Sequence, residues 1–320
     1  MNKKPIIVVS GEPYSIFLEI FFKSKKIIKI KKPIILIASK ELVTKQMFKL
    51  NFNFEINLID ENNTDFSLLS NKKINLIDVN FKFKKTFDKI SIRSNSYIAK
   101  SFEIALRLLK EKKCAGLING PISKKHFLKG KTLGITEYLF KKTRADNAVM
   151  LIFNDKLSVS PITTHLALKD VPKNISSKKI YRNIIIIDQF YKKNFNKRPK
   201  IAITGLNPHC ESNFNNSEED SIISPAIKKL KKQNLIVKGP FPADTIFLEG
   251  NSRKFDVIVG MYHDQVLTPM KALFGFNAIN VTLGLPFIRL SPDHGPNSFM
   301  LGKNLSNPKS LINALKFLDK

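Results

Sequence analysis

The chain has 320 residues, of which 43% are hydrophobic, and this is enough apolar material for a large folded core. Its formal net charge of +28 comes mainly from lysines spread along the whole sequence, which is typical of a solvated surface, and no nucleic-acid-binding motif accompanies them. Only Cys114 and Cys210 occur, and the first ten residues contain only four consecutive apolar residues. Composition therefore argues against a disulfide framework, a cysteine-rich zinc module, a signal peptide and a membrane span, and we expect a cytoplasmic protein with no specific nucleic-acid partner.

Short runs rich in Ile and Val alternate with amphipathic helical patterns along the chain, which is typical of βαβ units. The predicted strands cover residues 5–9, 33–38, 115–118, 148–153, 157–161, 200–204, 256–259 and 278–282. Helical periodicity predicts helices at residues 96–112, 176–194, 217–232 and 304–318. Residues 61–85, which are rich in Asn and Lys, are expected to form a peripheral loop or edge strands. The pattern as a whole predicts an α/β fold with a largely parallel or mixed sheet.

Polar segments follow four of the predicted strands, at residues 119–124, 163–165, 205–209 and 261–265. In open α/β sheets ligands bind beyond the carboxyl ends of the strands, so we expect these loops to converge on one cleft. The longer stretch 261–295 combines His, Asp, Lys, Arg and Gly with short apolar runs, which indicates a functional site rather than core.

Three of the five histidines, His165, His209 and His263, lie in these loops. Neutral imidazoles from separate loops suit a divalent transition metal such as zinc or cobalt, and they leave coordination positions open for substrate oxygens. Asp244 and Asp264 could orient the imidazoles or join the metal ligands. The alternative is that a loop histidine is an ordinary hydrogen-bonding group, as we expect for His126 in its Lys-rich stretch.

Several motifs, taken in order, resemble those of the 4-hydroxythreonine-4-phosphate dehydrogenase family of vitamin B6 biosynthesis. They are GEP at 11–13, NGPISK at 119–124, ITEYL at 135–139, TTHLALKDV at 163–171, GLNPH at 205–209 and GPFPADT at 239–245, together with the stretch 261–295. The resemblance implies oxidation of a small phosphorylated hydroxy amino acid, 4-phosphohydroxy-L-threonine, with NAD, NADP being possible. It further implies metal-assisted β-decarboxylation to 3-amino-2-oxopropyl phosphate and CO2, in a homodimer with a shared active site.

The resemblance also assigns roles position by position. It makes His165, His209 and His263 the ligands of a divalent metal (Zn2+, Mg2+ or Co2+), with His263 expected to come from the partner subunit. It makes Thr136, Lys271, Asn280 and Arg289 the substrate contacts, and such cationic and hydrogen-bonding groups suit a phosphate and a carboxylate. Lys271 and Asp244 are the candidates for the catalytic group that removes the hydroxyl proton. Lys271 and Arg289 could instead be surface charges, although Arg289 stands in an apolar run where a buried charge needs a partner.

No GxGxxG motif follows a predicted strand, so the standard dinucleotide-binding sequence is absent. The family is similar to the isocitrate and isopropylmalate dehydrogenases, in which other loops hold NAD, and residues 293–295 resemble the segment that meets adenosine there. His294 and Gly295 are therefore the candidate cofactor contacts, and a simple turn is the alternative.

The same similarity implies two α/β domains with a central mixed sheet and an active-site cleft between them. The first would consist of residues 1–126 with 295–320. The second, residues 127–294, would carry the metal and substrate ligands and the dimer interface.

The sequence departs from the family pattern at three places. Ile135 replaces a family histidine that contacts substrate, residues 14–17 replace a glycine-rich loop, and Phe299 stands where an acidic residue would suit the adenosine ribose. These changes leave open a paralogous metal- and NAD-dependent dehydrogenase of a phospho-threonate or a diol, or a non-catalytic relative. The presence of the three histidines with Lys271, Asn280 and Arg289 favours an enzyme.

Overall fold

The computed structural model describes residues 4–62, 65–128, 134–210, 217–275, 277–292 and 294–320. The chain forms two compact units, Met1–Thr143 with Pro286–Lys320 (unit 1) and Arg144–Leu285 (unit 2). Each unit is a sheet with helices packed on it, which confirms the α/β class. None of the described helices is long and apolar enough to cross a membrane.

Unit 1 has a parallel sheet in which neighbouring strands follow the order β3-β4-β2-β1-β5-β12. Its strands are β1 (Ile6–Val9), β2 (Ile34–Ala38), β3 (Ile56–Leu58), β4 (Ile74–Asp78), β5 (Gly116–Asn119) and β12 (Arg289–Ser291). Its helices are α1 (Phe17–Ile27), α2 (Lys40–Lys49), α3 (Asn95–Lys110), α4 (Ile135–Thr143) and α11 (Lys309–Asp319). Every residue of β1 and β5 is buried, as expected for central strands of a parallel sheet covered on both faces.

Two glycines allow the segments that follow β1 and β5 to pack closely against each other. Gly11 has φ +73, and a Cβ there would lie 2.4 Å from the Pro121 carbonyl oxygen, while a Cβ on Gly120 would lie 2.2 Å from that of Ser10. The close approach allows the Glu12 N–H to donate to the Pro121 carbonyl at 2.8 Å. No larger residue fits either position without moving backbone, so the loop after β1 and the loop after β5 are fixed to each other.

Unit 2 has a mixed sheet in which neighbouring strands follow the order β11-β6-β7-β10-β8-β9. Its strands are β6 (Val149–Phe153), β7 (Ser158–Pro161), β8 (Ile201–Thr204), β9 (Val237–Phe241), β10 (Val257–Gly260) and β11 (Ile279–Leu283). Its helices are α5 (Val171–Asn174), α6 (Ser177–Phe195), α7 (Ser224–Lys232), α8 (Ala243–Ile246), α9 (Glu249–Ser252) and α10 (His263–Phe274). β6 runs antiparallel to β11 and β7, and the remaining neighbours are parallel. Three parallel neighbours, β7, β10 and β8, therefore end at one edge of the sheet.

The expectation for residues 61–85 was wrong in one respect. β4 pairs with both β2 and β3, so it is an interior strand and β3 is the edge strand of the pair. Ile74, Leu76 and Ile77 are buried. The Asn-rich and Lys-rich flanks of this short strand obscured its apolar content in the sequence.

The last helix begins at Lys309 rather than at residue 304 as predicted. Pro308 is its N-cap residue, with φ −81. Proline lacks an N–H and fits the start of a helix better than its interior, and here the helix begins directly after Pro308, so the periodicity before it does not form helix. The helix predicted at 217–232 begins with a π-helical turn at Glu219–Ile223 before α7.

The units change at 143/144 and 285/286, whereas the sequence placed the domain boundaries at 126/127 and 294/295. β12 explains the second difference, because Arg289 pairs with Leu117 of β5 and thus belongs to the first sheet.

Candidate active site

Among the described residues, Arg289 is the largest side chain that is almost fully buried, with only 2% of its surface exposed. Its Nε donates to Asn119 Oδ1 at 2.7 Å, and its Nη1 approaches Thr136 Oγ1 at 3.5 Å. Burial lowers the Arg289 pKa to about 10, opposed by the nearby Glu137 carboxylate, so the group stays charged at neutral pH. A buried, oriented guanidinium is suited to two-pronged binding of a phosphate or a carboxylate. The surface-charge alternative for Arg289 is therefore wrong.

Asn119, at the end of β5, was missed as a site residue by the sequence analysis. Its Nδ2 donates to the Gly120 carbonyl at 2.8 Å, which leaves Oδ1 to accept from Arg289. The signal was present in the sequence, because Asn119 opens a polar segment directly after a buried strand.

Thr136 lies in the first turn of α4 next to Ile135, the residue that replaces the family histidine. Both side chains are half-buried. The structure thus brings Thr136 together with Arg289, as the proposed shared substrate role requires, while Ile135 presents an aliphatic group at this helix start.

His294 is a partly buried imidazole beside Phe17, with ring centroids 6.4 Å apart. Its Nδ1 lies 3.0 Å from the Gly295 carbonyl oxygen, so Nδ1 carries the proton and Nε2 is an acceptor. Desolvation lowers the His294 pKa, and Nε2 is buried without a hydrogen-bond partner among the described residues. Gly295 is exposed, and a Cβ on it would meet no atom within 4 Å. The acceptor Nε2 of His294 and the exposed Gly295 backbone are the two groups here that a cofactor could contact. Asp293, the first residue of this segment, lies outside the described residues.

Three of the four predicted polar loops meet at one edge of the unit 2 sheet, while the fourth, residues 119–124, follows β5 of unit 1. The convergence of all four on one cleft stays a prediction. The three loops of unit 2 follow the parallel neighbours β7, β10 and β8. Thr163 donates through its N–H at 3.1 Å and through Oγ1 at 2.8 Å to the Met261 carbonyl. Gln265 Nε2 donates to the Gly205 carbonyl at 2.8 Å and so joins the loop after β10 to the loop after β8.

His165 and His263 project from two of these loops, and their ring centroids are 5.9 Å apart. His263 is the first residue of α10, and its Nδ1 lies 2.7 Å from Asp264 Oδ1. A carboxylate at Nδ1 fixes the tautomer with the lone pair on Nε2, which is the form that binds a metal. Asp264 is therefore in position to orient the His263 imidazole, one of the two roles expected for it.

His209 lies on a separate exposed turn and adopts the left-handed conformation, with φ 59 and ψ 1. Cys210 follows with φ 57. Left-handed non-glycine residues are strained and persist where their surroundings determine the backbone. Glu219, only 2% exposed, supplies this constraint, because its Oε1 accepts the N–H groups of Leu206 and Asn207 at 2.8 and 2.9 Å. Burial opposes ionisation of Glu219, but these hydrogen bonds outweigh it and lower its pKa.

The described residues contain no cluster of three or more His, Cys, Asp or Glu side chains arranged to hold a metal ion. The chain brings His165 and His263 together and leaves His209 on the neighbouring turn. The chemistry of the donor set nevertheless fits a divalent metal, because the imidazoles are accessible and one is oriented by a carboxylate.

The remaining predicted residues of unit 2 lie at separate positions. Lys271 is in the last turn of α10, where desolvation lowers its pKa although the side chain is largely exposed. Asn280 lies in β11, and its Oδ1 is buried without a hydrogen-bond partner among the described residues. Asp244 is an exposed residue of the short helix α8. His126, expected to be an ordinary polar group, has its Nδ1 2.8 Å from Ser123 Oγ.

Glu12, in the GEP segment that follows β1, is a buried carboxyl group to which the sequence analysis gave no role. It is 1% exposed, its Oε2 accepts from Ser94 Oγ at 3.1 Å, and its Oε1 has no partner among the described residues. Desolvation raises the Glu12 pKa to about 7, against the lowering effect of the Ser94 hydrogen bond.

Curated relatives carry names that agree with the family resemblance. A 4-hydroxythreonine-4-phosphate dehydrogenase of Sulfurihydrogenibium sp. is 40% identical over 247 residues, covering 76% of this chain and 75% of the relative. A protein of Oceanobacillus iheyensis with the provisional name D-threonate 4-phosphate dehydrogenase is 31% identical over 327 residues, covering 98% of this chain and 97% of its own.

A solved structure and a family model extend the comparison to the fold. The 4-hydroxythreonine-4-phosphate dehydrogenase of Klebsiella pneumoniae aligns with a TM-score of 0.85 and 28% identity over 99% of this chain and 98% of its own. The model described as "Pyridoxal phosphate biosynthetic protein PdxA" matches residues 29–318. The resemblance predicted from the motifs is confirmed.

Proposed function

Because this chain belongs to the family of the pyridoxal phosphate biosynthetic protein PdxA, an oxidoreductase family, we propose that it is an NAD-dependent 4-hydroxythreonine-4-phosphate dehydrogenase. It oxidises the hydroxyl group of 4-phosphohydroxy-L-threonine to a ketone. The product is a β-keto acid, which loses CO2 and gains a proton to give 3-amino-2-oxopropyl phosphate on the route to pyridoxal phosphate.

The observation that carries the proposal is the buried guanidinium of Arg289. The acceptors Asn119 and Thr136 hold the buried guanidinium in a fixed orientation, and the nearby Glu137 carboxylate favours its charged form. A substrate with a phosphate and a carboxylate supplies an anion of matching shape. Arg289 and Thr136 therefore hold one anionic group of the substrate.

The other proposed contacts have matching chemistry. The buried Asn280 Oδ1 needs a donor, which an amino or hydroxyl group of the substrate supplies. Lys271 and Asp244 are the candidates to take the hydroxyl proton. Desolvation lowers the Lys271 pKa and so favours the neutral amine, which is the form that accepts a proton.

His165, His209 and His263 would hold a divalent metal, and His294 and Gly295 would meet the adenosine part of NAD. When bound, the metal would polarise the substrate oxygens and the nicotinamide would accept the hydride. The neutral His294 with its acceptor Nε2 suits an adenine amino group. Phe299 is 88% exposed and offers no acceptor for ribose hydroxyls, so NAD and NADP are both to be tested.

The test is NADH absorbance with 4-phosphohydroxy-L-threonine, in parallel with Zn2+, Co2+, Mg2+ and a chelator, with NADP as the alternative acceptor. We expect turnover with metal, loss of turnover on chelation and release of one CO2 per NADH. Turnover that is indifferent to chelation would contradict the metal assignment. A folded, metal-loaded protein without turnover would contradict the substrate.

A second candidate substrate is a phospho-threonate. Two observations favour it, the near full-length alignment with the Oceanobacillus protein and Ile135 in place of the family histidine. The two substrates differ in whether an amino or a hydroxyl group is carried next to the carboxylate. The ratio of kcat/KM for the two compounds decides between them, and Ile135→His should shift that ratio toward hydroxythreonine phosphate if the aliphatic side chain sets the preference.

We propose a homodimer in which His263 completes the metal site of the partner subunit. The test is to mix the His165→Ala and His263→Ala variants. If His263 crosses between subunits, the mixed dimer contains one site with both wild-type histidines and regains up to half the activity. If His165 and His263 of one chain, 5.9 Å apart, bind the metal together, mixing restores no activity.

The free thiols of Cys114 and Cys210 support a cytoplasmic location, where thiols remain reduced.

A further inference from the structure

Unit 1 contains a cavity of about 510 Å³ at the start of strands β2 and β4. Ile34 and Ile74, the first residues of these strands, form part of its wall. Because β1, β2, β4 and β5 are parallel, this edge of the sheet is opposite to the loops that follow β1 and β5. The cavity is therefore separate from the Arg289 region, where Asn119 is the last residue of β5.

Much of the wall of this cavity is apolar. Phe21, Ile74 and Leu315 are buried, with exposures of 2%, 2% and 1%. Ile34 and Phe54 are half-buried beside them. Small-molecule sites typically have volumes of roughly 300 to 1000 Å³ and mainly apolar walls, so the size and the lining both suit an organic ligand.

Five lysines complete the lining, and the described residues that line the cavity include no acidic side chain. The lysines are Lys25, Lys29, Lys32, Lys72 and Lys73. Two carboxylates nearby are already engaged, because Glu55 pairs with Lys73 at 2.8 Å and Asp319 accepts the backbone N–H groups of Lys31 and Lys32 at 3.1 and 2.8 Å. A recess lined by charge of one sign attracts ligands of the opposite sign, so the ligand should be an anion.

Lys25 joins the charged and the apolar parts of the lining. It is half-buried, its Nζ donates to the Asn71 carbonyl at 3.2 Å, and the same Nζ lies 5.9 Å from the centroid of the Phe54 ring. Desolvation lowers the Lys25 pKa, and no carboxylate of the described residues forms an ion pair with it. An anion bound beside Lys25 would stabilise the ammonium form and would bring its own apolar part against Phe54.

The uncharged polar side chains of the lining, Ser70 and Asn71, both bond within the chain. Ser70 Oγ accepts the N–H groups of Lys72 and Lys73 at 3.2 and 3.3 Å, and Asn71 Nδ2 donates to the Lys31 carbonyl at 3.1 Å. A ligand rich in hydroxyl groups therefore gains less from this cavity than a ligand with an apolar body.

We propose that this cavity binds an amphipathic organic acid, that is, a molecule with an apolar body and one carboxylate or phosphate group. The body packs against Phe21 and Phe54, and the acidic group binds Lys25. The exposed Lys29 and Lys72 add attraction for the acidic group. The body can be aliphatic or aromatic, because the wall contains side chains of both kinds. The site is independent of the reaction proposed above.

The first experiment measures the affinity of 8-anilinonaphthalene-1-sulfonate, an apolar anion whose fluorescence rises in an apolar site. Lys25→Met keeps the apolar part of the side chain and removes its charge, so it should weaken dye binding about 10-fold. Lys45→Met is the matched control, since Lys45 Nζ lies 4.9 Å from the Phe83 ring centroid but does not line the cavity. It should bind the dye within about two-fold of the parent protein, as should Arg289→Lys.

Equal dye affinity in the parent protein and in folded Lys25→Met would overturn the proposal, and so would equal weakening by Lys25→Met and Lys45→Met. Near-ultraviolet circular dichroism checks folding. If Lys25→Met does not fold, the test is the double variant Lys29→Glu with Lys72→Glu, because both side chains are exposed. It should weaken dye binding at least about 10-fold, and binding within about two-fold of the parent protein would overturn the proposal.

The second experiment displaces the dye with paired competitors that separate the charge from the apolar body. Decanoate should displace it at a concentration at least about 10-fold lower than acetate, and 1-naphthyl phosphate should do so relative to inorganic phosphate. One such pair is sufficient support, since the two pairs represent the aliphatic and the aromatic body. If acetate and inorganic phosphate compete as well as the larger acids, or if 1-decanol competes as well as decanoate, the proposal is overturned.

Discussion

The Arg289 region of unit 1 and the histidine loops of unit 2 represent two ways of preparing a site. Arg289 is almost fully buried, and its guanidinium is oriented by Asn119 and Thr136. His165 and His209 are exposed, and the order in this region lies beneath them, in Gln265 and Glu219. The contrast teaches that folding alone orients the proposed anion-binding group, whereas the proposed metal ligands lie on loops that supporting residues hold and would need the ion itself to complete the site.

The largest expected effect comes from removing a histidine that contributes nothing to the folded core. His209→Ala should abolish metal binding and lower kcat/KM by at least about 1000-fold, while the melting temperature of the metal-free protein stays within about 1 °C. Metal titration, steady-state kinetics and thermal unfolding measure the three quantities. His126→Ala is the control and should bind metal normally. If His209→Ala failed to fold, the contrast between the buried Arg289 region and the exposed histidine loops would be wrong, because the His209 loop would then contribute to the folded core.

Arg289→Lys tests the opposite region. Lysine keeps a positive charge but lacks the planar guanidinium that contacts both Asn119 and Thr136. We therefore expect kcat/KM to fall roughly 100-fold while metal affinity stays unchanged. The measurements are steady-state kinetics and metal calorimetry on the same preparation. If metal affinity falls as well, the Arg289 region and the histidine loops are energetically coupled and do not act independently.

Metal should stabilise the protein through the histidines alone. At a free metal concentration 100 times the dissociation constant, the free energy of unfolding should rise by about 2.7 kcal/mol. Arg289→Lys should show the same increase and His209→Ala none. The measurement is chemical unfolding with and without Zn2+, and an equal gain in His209→Ala would point to binding at other groups.

The smallest effect concerns Glu12, whose pKa is raised to about 7 in the folded protein against an ordinary value of 4.5. The folded state therefore binds this proton more tightly than the unfolded state. The resulting stabilisation is complete below about pH 4.5 and is lost as pH rises through 7. Glu12→Gln should remove this dependence and be more stable than the parent at pH 8 by on the order of 2 kcal/mol. Urea unfolding at pH 5 and pH 8 tests this, and a difference that grows toward low pH would contradict the sign.

Much of the fold could be predicted from the sequence because its strands are short apolar runs. The eight predicted strands match β1, β2, β5, β6, β7, β8, β10 and β11 within one or two residues at each end. The strands that were missed have mixed patterns. β4 contains Asn75, whose side chain satisfies the Ile34 carbonyl, and β12 begins with the buried Arg289. A polar residue that finds its partner far along the chain cannot be distinguished from a loop residue by local pattern.

The candidate site likewise contains residues that the sequence indicated and residues that it did not. The three histidines were proposed because they lie in polar loops after predicted strands, and Arg289 because it matches a substrate contact of the family that the motifs resemble. Gln265, Glu219 and Asn119 were not assigned roles, since amides and carboxylates are common and their importance arises from partners 60, 12 or 13, and 170 residues away along the chain. Supporting residues of this kind require coordinates.

The interlocked glycines at the ends of β1 and β5 also have a dynamic consequence. Gly120 donates to Val9 and Glu12 donates to Pro121, both at 2.8 Å, so neither loop can open without breaking the bond held by the other. Their amides should exchange with solvent as one cooperative unit. Asn119 belongs to this cooperative group of residues. The lifetime of the closed loops therefore sets how long Asn119 Oδ1 stays in place to accept from the Arg289 guanidinium and to orient it.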